Sequence, residues 1–224
     1  MLSANDLVED PARITSIVEH TNVDPAATED EIRDLCRDVR DHDFRAAVVV
    51  PYHAPLAADL LDDRAAVVAV IGFPYGIQNA PAKVAEAEEL LEHADELDMV
   101  MNRTAFANDD HAAVVQDVAA VAEAVGEATL KCIIEAPALS PEEIRTAAAL
   151  VEEGGADVVK TAVGYDGPTD PADVEAIRAA VDADIGVKAS GGISTFEGAL
   201  EMVRAGATHI GTSSGVEIVE SING

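Results

Sequence analysis

Lysine is scarce in this 224-residue chain: of its 14 basic residues ten are arginine and four are lysine, at positions 83, 131, 160 and 188. Three of the four, Lys131, Lys160 and Lys188, sit inside apolar, β-branched runs rather than on polar stretches. An ammonium group there is costly to desolvate unless it is paired, or unless its pKa falls and it becomes an amine. An amine near neutral pH is the nucleophile that Schiff-base chemistry with a carbonyl requires. Lys160, at the centre of Gly-Gly-Ala-Asp-Val-Val-Lys-Thr-Ala-Val-Gly-Tyr (residues 154–165), is therefore the candidate nucleophile. The plainer reading is a strand-end lysine that lifts its head to water, and the run alone leaves both open.

The elements that must position such a lysine follow from periodicity. Short β-branched runs at 13–19, 46–51, 65–72, 96–101, 128–134, 157–161, 184–189 and 208–211 read as strands. Between them, helix-like stretches fall at 28–41, 54–62, 80–93, 109–124, 140–152, 170–180 and 194–205, with a short last one from Ser214. Ser140-Pro141-Glu142-Glu143 and Asp170-Pro171-Ala172-Asp173 place an N-cap and a first-turn proline. Strands buried on both faces and separated by helices imply a parallel sheet. Eight such units in about 200–250 residues describe a single (β/α)8 barrel domain, expected to span residues 1–224. A doubly wound sheet would want a Gly-x-Gly-x-x-Gly turn after its first strand, and neither that nor a Gly-x-x-x-x-Gly-Lys loop is present.

In such a barrel the chemistry sits at the carboxyl ends of the strands. Lys160 and Lys188 then lie on neighbouring strands, and two ammonium groups brought close cannot both ionise cheaply, so one pKa drops. Asp98, on a strand across the barrel, is either a proton shuttle or a structural counter-charge. Lys131 and Glu135 share strand parity, and Lys131 reads as a buried ion-pair partner. The small residues after strands 7 and 8 suit a phosphate: backbone N–H groups of Gly191, Gly192 and Gly211 with the hydroxyls of Ser213 and Ser214. The alternative is that these glycines only serve tight turns. No metal site is expected, because the six histidines show no ligand spacing. His20, at the end of strand 1, is a candidate for substrate contact beside its plainer reading as a core histidine.

Composition bounds the setting. Apolar residues make up 49% of the chain but aromatics only 3%, so the core must be aliphatic. No apolar run is long enough for a membrane span, and the acidic N-terminus, Met1 to Pro11, does not read as a signal peptide. Cys36 and Cys132 read as free thiols in a reducing cytoplasm. The net charge of −29 argues against nucleic-acid binding. Spread over helix faces such as Glu86-Ala87-Glu88-Glu89, it fits a cytoplasm of high salt, where self-repulsion is screened.

In order along the chain, Glu-His-Thr at 19–21, Val-Ile-Gly-Phe-Pro-Tyr-Gly at 70–76, Glu-Leu-Asp-Met-Val-Met-Asn at 96–102 and Lys-Cys-Ile-Ile-Glu at 131–135 resemble deoxyribose-phosphate aldolases. So do Gly-Ala-Asp-Val-Val-Lys-Thr at 155–161, Val-Lys-Ala-Ser-Gly-Gly-Ile at 187–193 and Gly-Thr-Ser-Ser at 211–214. The resemblance implies a class I aldolase that cleaves 2-deoxy-D-ribose 5-phosphate to acetaldehyde and D-glyceraldehyde 3-phosphate. It implies Lys160 as the Schiff-base lysine, Lys188 as the residue lowering its pKa, and Asp98 in the proton relay. Gly164 joins the phosphate- or substrate-binding set. No metal or organic cofactor is implied, and a homo-oligomer is. The chain departs from the family where Ala162, Val163 and Tyr165 follow Lys160. Val163 stands in place of a threonine, Glu19 in place of aspartate, Ala136-Pro137 follows Glu135 where threonine is common, and Val48 occupies a position that is cysteine in some members. Two other classes of activity stay open: an aldolase acting on another phosphorylated sugar, and a phosphate-sugar-binding or isomerase barrel without imine chemistry.

Overall fold

Strands that are apolar on both faces can be covered on one side by helices and on the other only by each other, and a closed parallel sheet achieves this. The computed structural model describes residues 2–223. Among the described residues eight strands pair in parallel and in sequence order, β8 returning to β1 to close the barrel. They are β1 Val18–Asn22, β2 Ala46–Val49, β3 Ala66–Ile71, β4 Glu96–Val100, β5 Thr129–Ile133, β6 Val158–Lys160, β7 Gly186–Ser190 and β8 His209–Thr212. The helices are α1 Ala4–Glu9, α2 Glu29–Asp41, α3 Ala54–Leu61, α4 Ala80–Leu90, α5 Arg103–Ala107, α6 His111–Val125, α7 Pro141–Glu153, α8 Pro171–Arg178, α9 Phe196–Ala205 and α10 Gly215–Glu220. Met1, the first residue of the acidic N-terminal stretch, and Gly224, the last of the span expected to form the barrel, lie outside the described residues.

The (β/α)8 reading is borne out, with local corrections. Residues 13–17 belong to a 3-10 helix, Pro11–Ile17, and not to the first strand. Pro11 opens that helix, and Ile14 and Ile17, three residues apart, turn to one buried side. β1 starts only at Val18. The short helices α1 and α5 were not expected. Ser3 and Asp6 form a reciprocal cap on α1, and the Asn102 side chain accepts from Ala105 N–H at the start of α5. The caps read from Ser140 and Asp170 are both present.

Alternate strand residues divide between two cores. Outward ones such as Ala47, Val49, Leu97, Met99, Cys132 and Val159 join the main apolar layer with the helices. On α2, Ile32, Leu35, Cys36 and Val39 supply its buried face at helical spacing. Each buried aliphatic side chain of this kind contributes about 1.5–3 kcal/mol. Inward residues of β2 and β3, namely Ala46, Val48, Val68 and Val70, make a separate small cluster inside the barrel. The rest of the interior is lined largely by charged side chains. Cys36 and Cys132 are free and buried, and burial pushes the Cys36 thiol up to about 11. No helix among the described residues is long and apolar enough to cross a membrane.

Candidate active site

All four lysines are buried: Lys83, Lys131 and Lys188 completely, and Lys160 with 4% of its surface exposed. Register brings three of them into the barrel. Lys160 lies directly beside Lys188, and Asp98 directly beside Lys131. The Asp98 carboxylate meets all three, with Oδ2 accepting from Lys160 Nζ and Lys188 Nζ at 2.7 Å each and Oδ1 from Lys131 Nζ at 3.1 Å. Lys188 also donates to Glu19 Oε2. Lys131 lies 2.5 Å from Glu96 Oε2. Arg45, just before β2, donates to Glu19 Oε1 at 2.7 Å and also binds Glu96.

Burial opposes charge on every member, so neighbours decide each state. Burial depresses the Lys160 ammonium and Lys188 presses the same way. Asp98 opposes them but does not prevail, and the pKa falls from 10.5 to about 8. Lys131 goes the other way. Asp98, Glu19 and Glu96 outweigh its burial and hold its ammonium above the ordinary lysine range. Burial also works against the Glu19 carboxylate, but Lys188 and Lys131 override it and hold its pKa down to about 2. The same contest, won by Lys131, Lys160 and Lys188, keeps Asp98 well below the usual carboxylate range.

Above this cluster, at the carboxyl ends of the strands, opens a cleft of about 980 Å³. Of the interior lysines only Lys160 reaches its lining, which also includes Gly164, Gly191, Gly192, Gly211, Ser213 and Ser214. Lys188 and Asp98 lie beneath, fully buried. The loop after β7 turns at Gly191 (φ 107°) and Gly192 (φ 76°), conformations that favour glycine. Gly211 is not in a turn but inside β8. A Cβ there would come 2.8 Å from Lys188 Cε and 2.3 Å from Ser190 Oγ, so its missing side chain makes room for the lysine. His20 lines the cleft too, its ring 3.8 Å from Asp38, and burial lowers its pKa. Among the described residues no group of three or more His, Cys, Asp or Glu side chains is placed to hold a metal ion.

Glu135 does not extend β5. It follows the strand in a left-handed turn (φ 59°), and its carboxylate accepts the Val163 N–H at 2.9 Å, fixing the loop after Lys160. Val163 packs with Val100 and Ile133. Thr161 and Thr169 hold the peptide of Ser190: Thr161 Oγ1 accepts from Ser190 N–H at 2.9 Å, and Thr169 donates to its carbonyl at 2.5 Å. Neither Arg45 nor Glu96 reads as a site residue from the sequence alone. Glu96 opens the motif at 96–102 without a role of its own, and the only signal at Arg45 is a charge at the amino end of an apolar run.

A closed parallel eight-stranded barrel, with a buried lysine at the floor of its cleft, places the chain among the (β/α)8 barrel proteins. Within that class the chain belongs to the DeoC/LacD aldolase family, whose sequence pattern matches residues 16–221. It is 45% identical over 214 residues to the deoxyribose-phosphate aldolase of Thermococcus kodakarensis, covering 92% of this chain and 96% of that protein. Identity to the enzyme of the same name from Methanothermobacter thermautotrophicus is 42% over 217 residues, 95% of this chain and 96% of the relative. The solved deoxyribose phosphate aldolase from Aeropyrum pernix superposes with a TM-score of 0.90 at 34% identity, covering 98% of this chain and 95% of that one.

Proposed function

We propose that the protein is a class I aldolase that cleaves 2-deoxy-D-ribose 5-phosphate, reversibly, to D-glyceraldehyde 3-phosphate and acetaldehyde. The observation that carries this reading is the position of Lys160, a buried lysine with a pKa of about 8 at the floor of the cleft, on a carboxylate shared with two other ammonium groups. At pH 7 roughly one such side chain in ten is an amine, against about one in three thousand for an ordinary lysine.

The amine attacks the C1 aldehyde, and loss of water leaves an iminium. A base takes the proton of the C3 hydroxyl, the C2–C3 bond breaks, and its electron pair flows into the iminium. Glyceraldehyde 3-phosphate leaves with the carbonyl so formed. The remaining enamine is protonated at C2, and water then hydrolyses the imine to acetaldehyde and free Lys160. Asp98 and Lys188, hydrogen-bonded to each other beside Lys160, exchange these protons with the reacting atoms through water. Backbone N–H groups of Gly191 and Gly192, with Ser213, Ser214 and Gly164, bind the phosphate. Gly211 contributes by leaving space.

Borohydride reduction in the presence of acetaldehyde or substrate tests the reading: a stable adduct is expected on Lys160 and none in Lys160→Ala. Protein that turns over substrate without an adduct on Lys160 would overturn it. Val163, a methyl group lining the cleft, favours loose discrimination among related phosphorylated aldehydes, which a substrate panel reads directly. We also infer a cytoplasmic homo-oligomer adapted to high salt. The Aeropyrum pernix relative is described as tetrameric, and the charge of −29 supports the salt requirement. Sedimentation in molar KCl reports the oligomeric state.

A further inference from the structure

The ion pairs inside the barrel close into a ring of alternating sign. From Asp98 the contacts run to Lys131, Glu96, Arg45, Glu19 and Lys188, and from Lys188 back to Asp98. Three carboxylates and three cations make it neutral. Lys160 hangs from Asp98 as a fourth cation, with no carboxylate of its own. The ring also spans the barrel. Asp98 and Lys188 lie under the cleft, whereas Arg45 and Glu96 sit at the amino ends of β2 and β4, at the opposite mouth, where the Arg45 side chain is 24% exposed. Glu19 joins the two ends by binding Arg45 through Oε1 and Lys188 through Oε2.

Resting on the proposed imine chemistry of Lys160, we propose that Arg45 and Glu96 are positioning residues of opposite effect, which set from the far mouth of the barrel how readily Lys160 releases its proton. With Arg45 present, Lys160 faces a ring of zero net charge, and its burial then favours the amine. Without Arg45 the ring carries −1 and retains the ammonium. Without the Glu96 charge the ring carries +1 and expels the proton more strongly. In a water-poor interior such charges act over more than one contact distance.

The remaining groups facing the ring do not supply this balance. His209 on β8 is partly buried, and burial together with Arg45, Lys131 and Lys188 pushes it down to about 4, leaving it neutral at assay pH. Glu135, in the turn after β5, turns its carboxylate to the Val163 N–H and makes no ion pair with the ring, and burial raises its pKa. Val158 and Gly186, the inward residues at the foot of β6 and β7, and the β2–β3 interior are uncharged.

The test is the pH dependence of borohydride-trapped adduct on Lys160 in four purified proteins: wild type, Arg45→Met, Glu96→Gln and the double variant. The midpoint is expected to rise by about half a unit or more in Arg45→Met and to fall by a similar amount in Glu96→Gln. The double variant should return to near the wild-type value, and Arg45→Lys should restore it. A purely structural pair would move both single variants the same way or leave both midpoints in place, and either result overturns the proposal. If one single variant does not fold, the sign of the other still decides, and the double variant, which keeps a balanced ring, supplies a second reading. Absence of any adduct in the wild type would instead defeat the imine reading itself, so the two failures are distinguishable.

Discussion

Lys83 and Lys160 are both buried lysines bonded to a buried aspartate, and they have come to opposite uses. Lys83 lies outside the barrel between α4 and α6, where its Nζ sits 2.5 Å from Asp117 Oδ2 and donates to the Val100 carbonyl at 2.8 Å. One cation meets one anion, and the pair ties two helices to the end of β4. Lys160 shares its aspartate with Lys131 and Lys188. Burial is common to both sites. The difference is the count of charges: Lys83 has a carboxylate to itself, whereas the carboxylate that Lys160 shares with two other ammonium groups leaves it the more readily deprotonated.

The sharpest contrast comes from truncating each lysine. Lys160→Met should abolish adduct formation and lower kcat/KM by roughly 10^4-fold or more, while its urea stability at pH 7 does not fall. Lys83→Met should do the reverse, costing about 3–5 kcal/mol by stranding the Asp117 carboxylate, with trapping per folded molecule unchanged. A folded Lys83→Met protein unable to form the adduct would break the comparison.

Linkage gives the next effect. The Lys160 pKa is lowered on folding from 10.5 to about 8, so between those values the unfolded chain binds more protons, and stability contributed by this group rises with pH. Urea titrations should show wild type gaining up to about 3 kcal/mol relative to Lys160→Met between pH 8 and pH 10.5. Equal slopes for the two proteins would remove the shifted lysine from the account. Lys188→Met should slow trapping by about 10^2-fold and move its midpoint above pH 8, since one competing ammonium on Asp98 is gone. Smallest is the effect of salt. Asp24, Glu31, Asp34 and Asp38 line the cleft, so KM for a phosphorylated substrate should fall a few-fold between low and molar KCl, with kcat little changed.

Much of this was legible along the chain because its signals are local. Alternation of β-branched runs with capped helices carried the barrel, and the caps at Ser140 and Asp170 sit where their residues placed them. The first strand starts later than its β-branched run suggests, because Ile14 and Ile17 read as strand residues although their spacing of three fits the 3-10 turn that Pro11 opens. The burial of Lys83 is hidden in the sequence for a related reason. Its neighbours on α4 are alanine and glutamate, which read as a solvated face, and only the packing of α6 against that face buries it.

Residue type and spacing alone determined that eight parallel strands would form, that Lys160 and Lys188 would lie on adjacent ones, and that Asp98 would face the same interior. Tertiary structure alone decided who their partners are. Glu19 and Lys188 are 169 residues apart and meet only because β8 returns to β1 and closes the barrel. Asp98 reaches Lys188 across 90 residues. Local sequence can specify a strand and the side to which it points, but the sum of charges around a buried amine depends on every strand that closes around it.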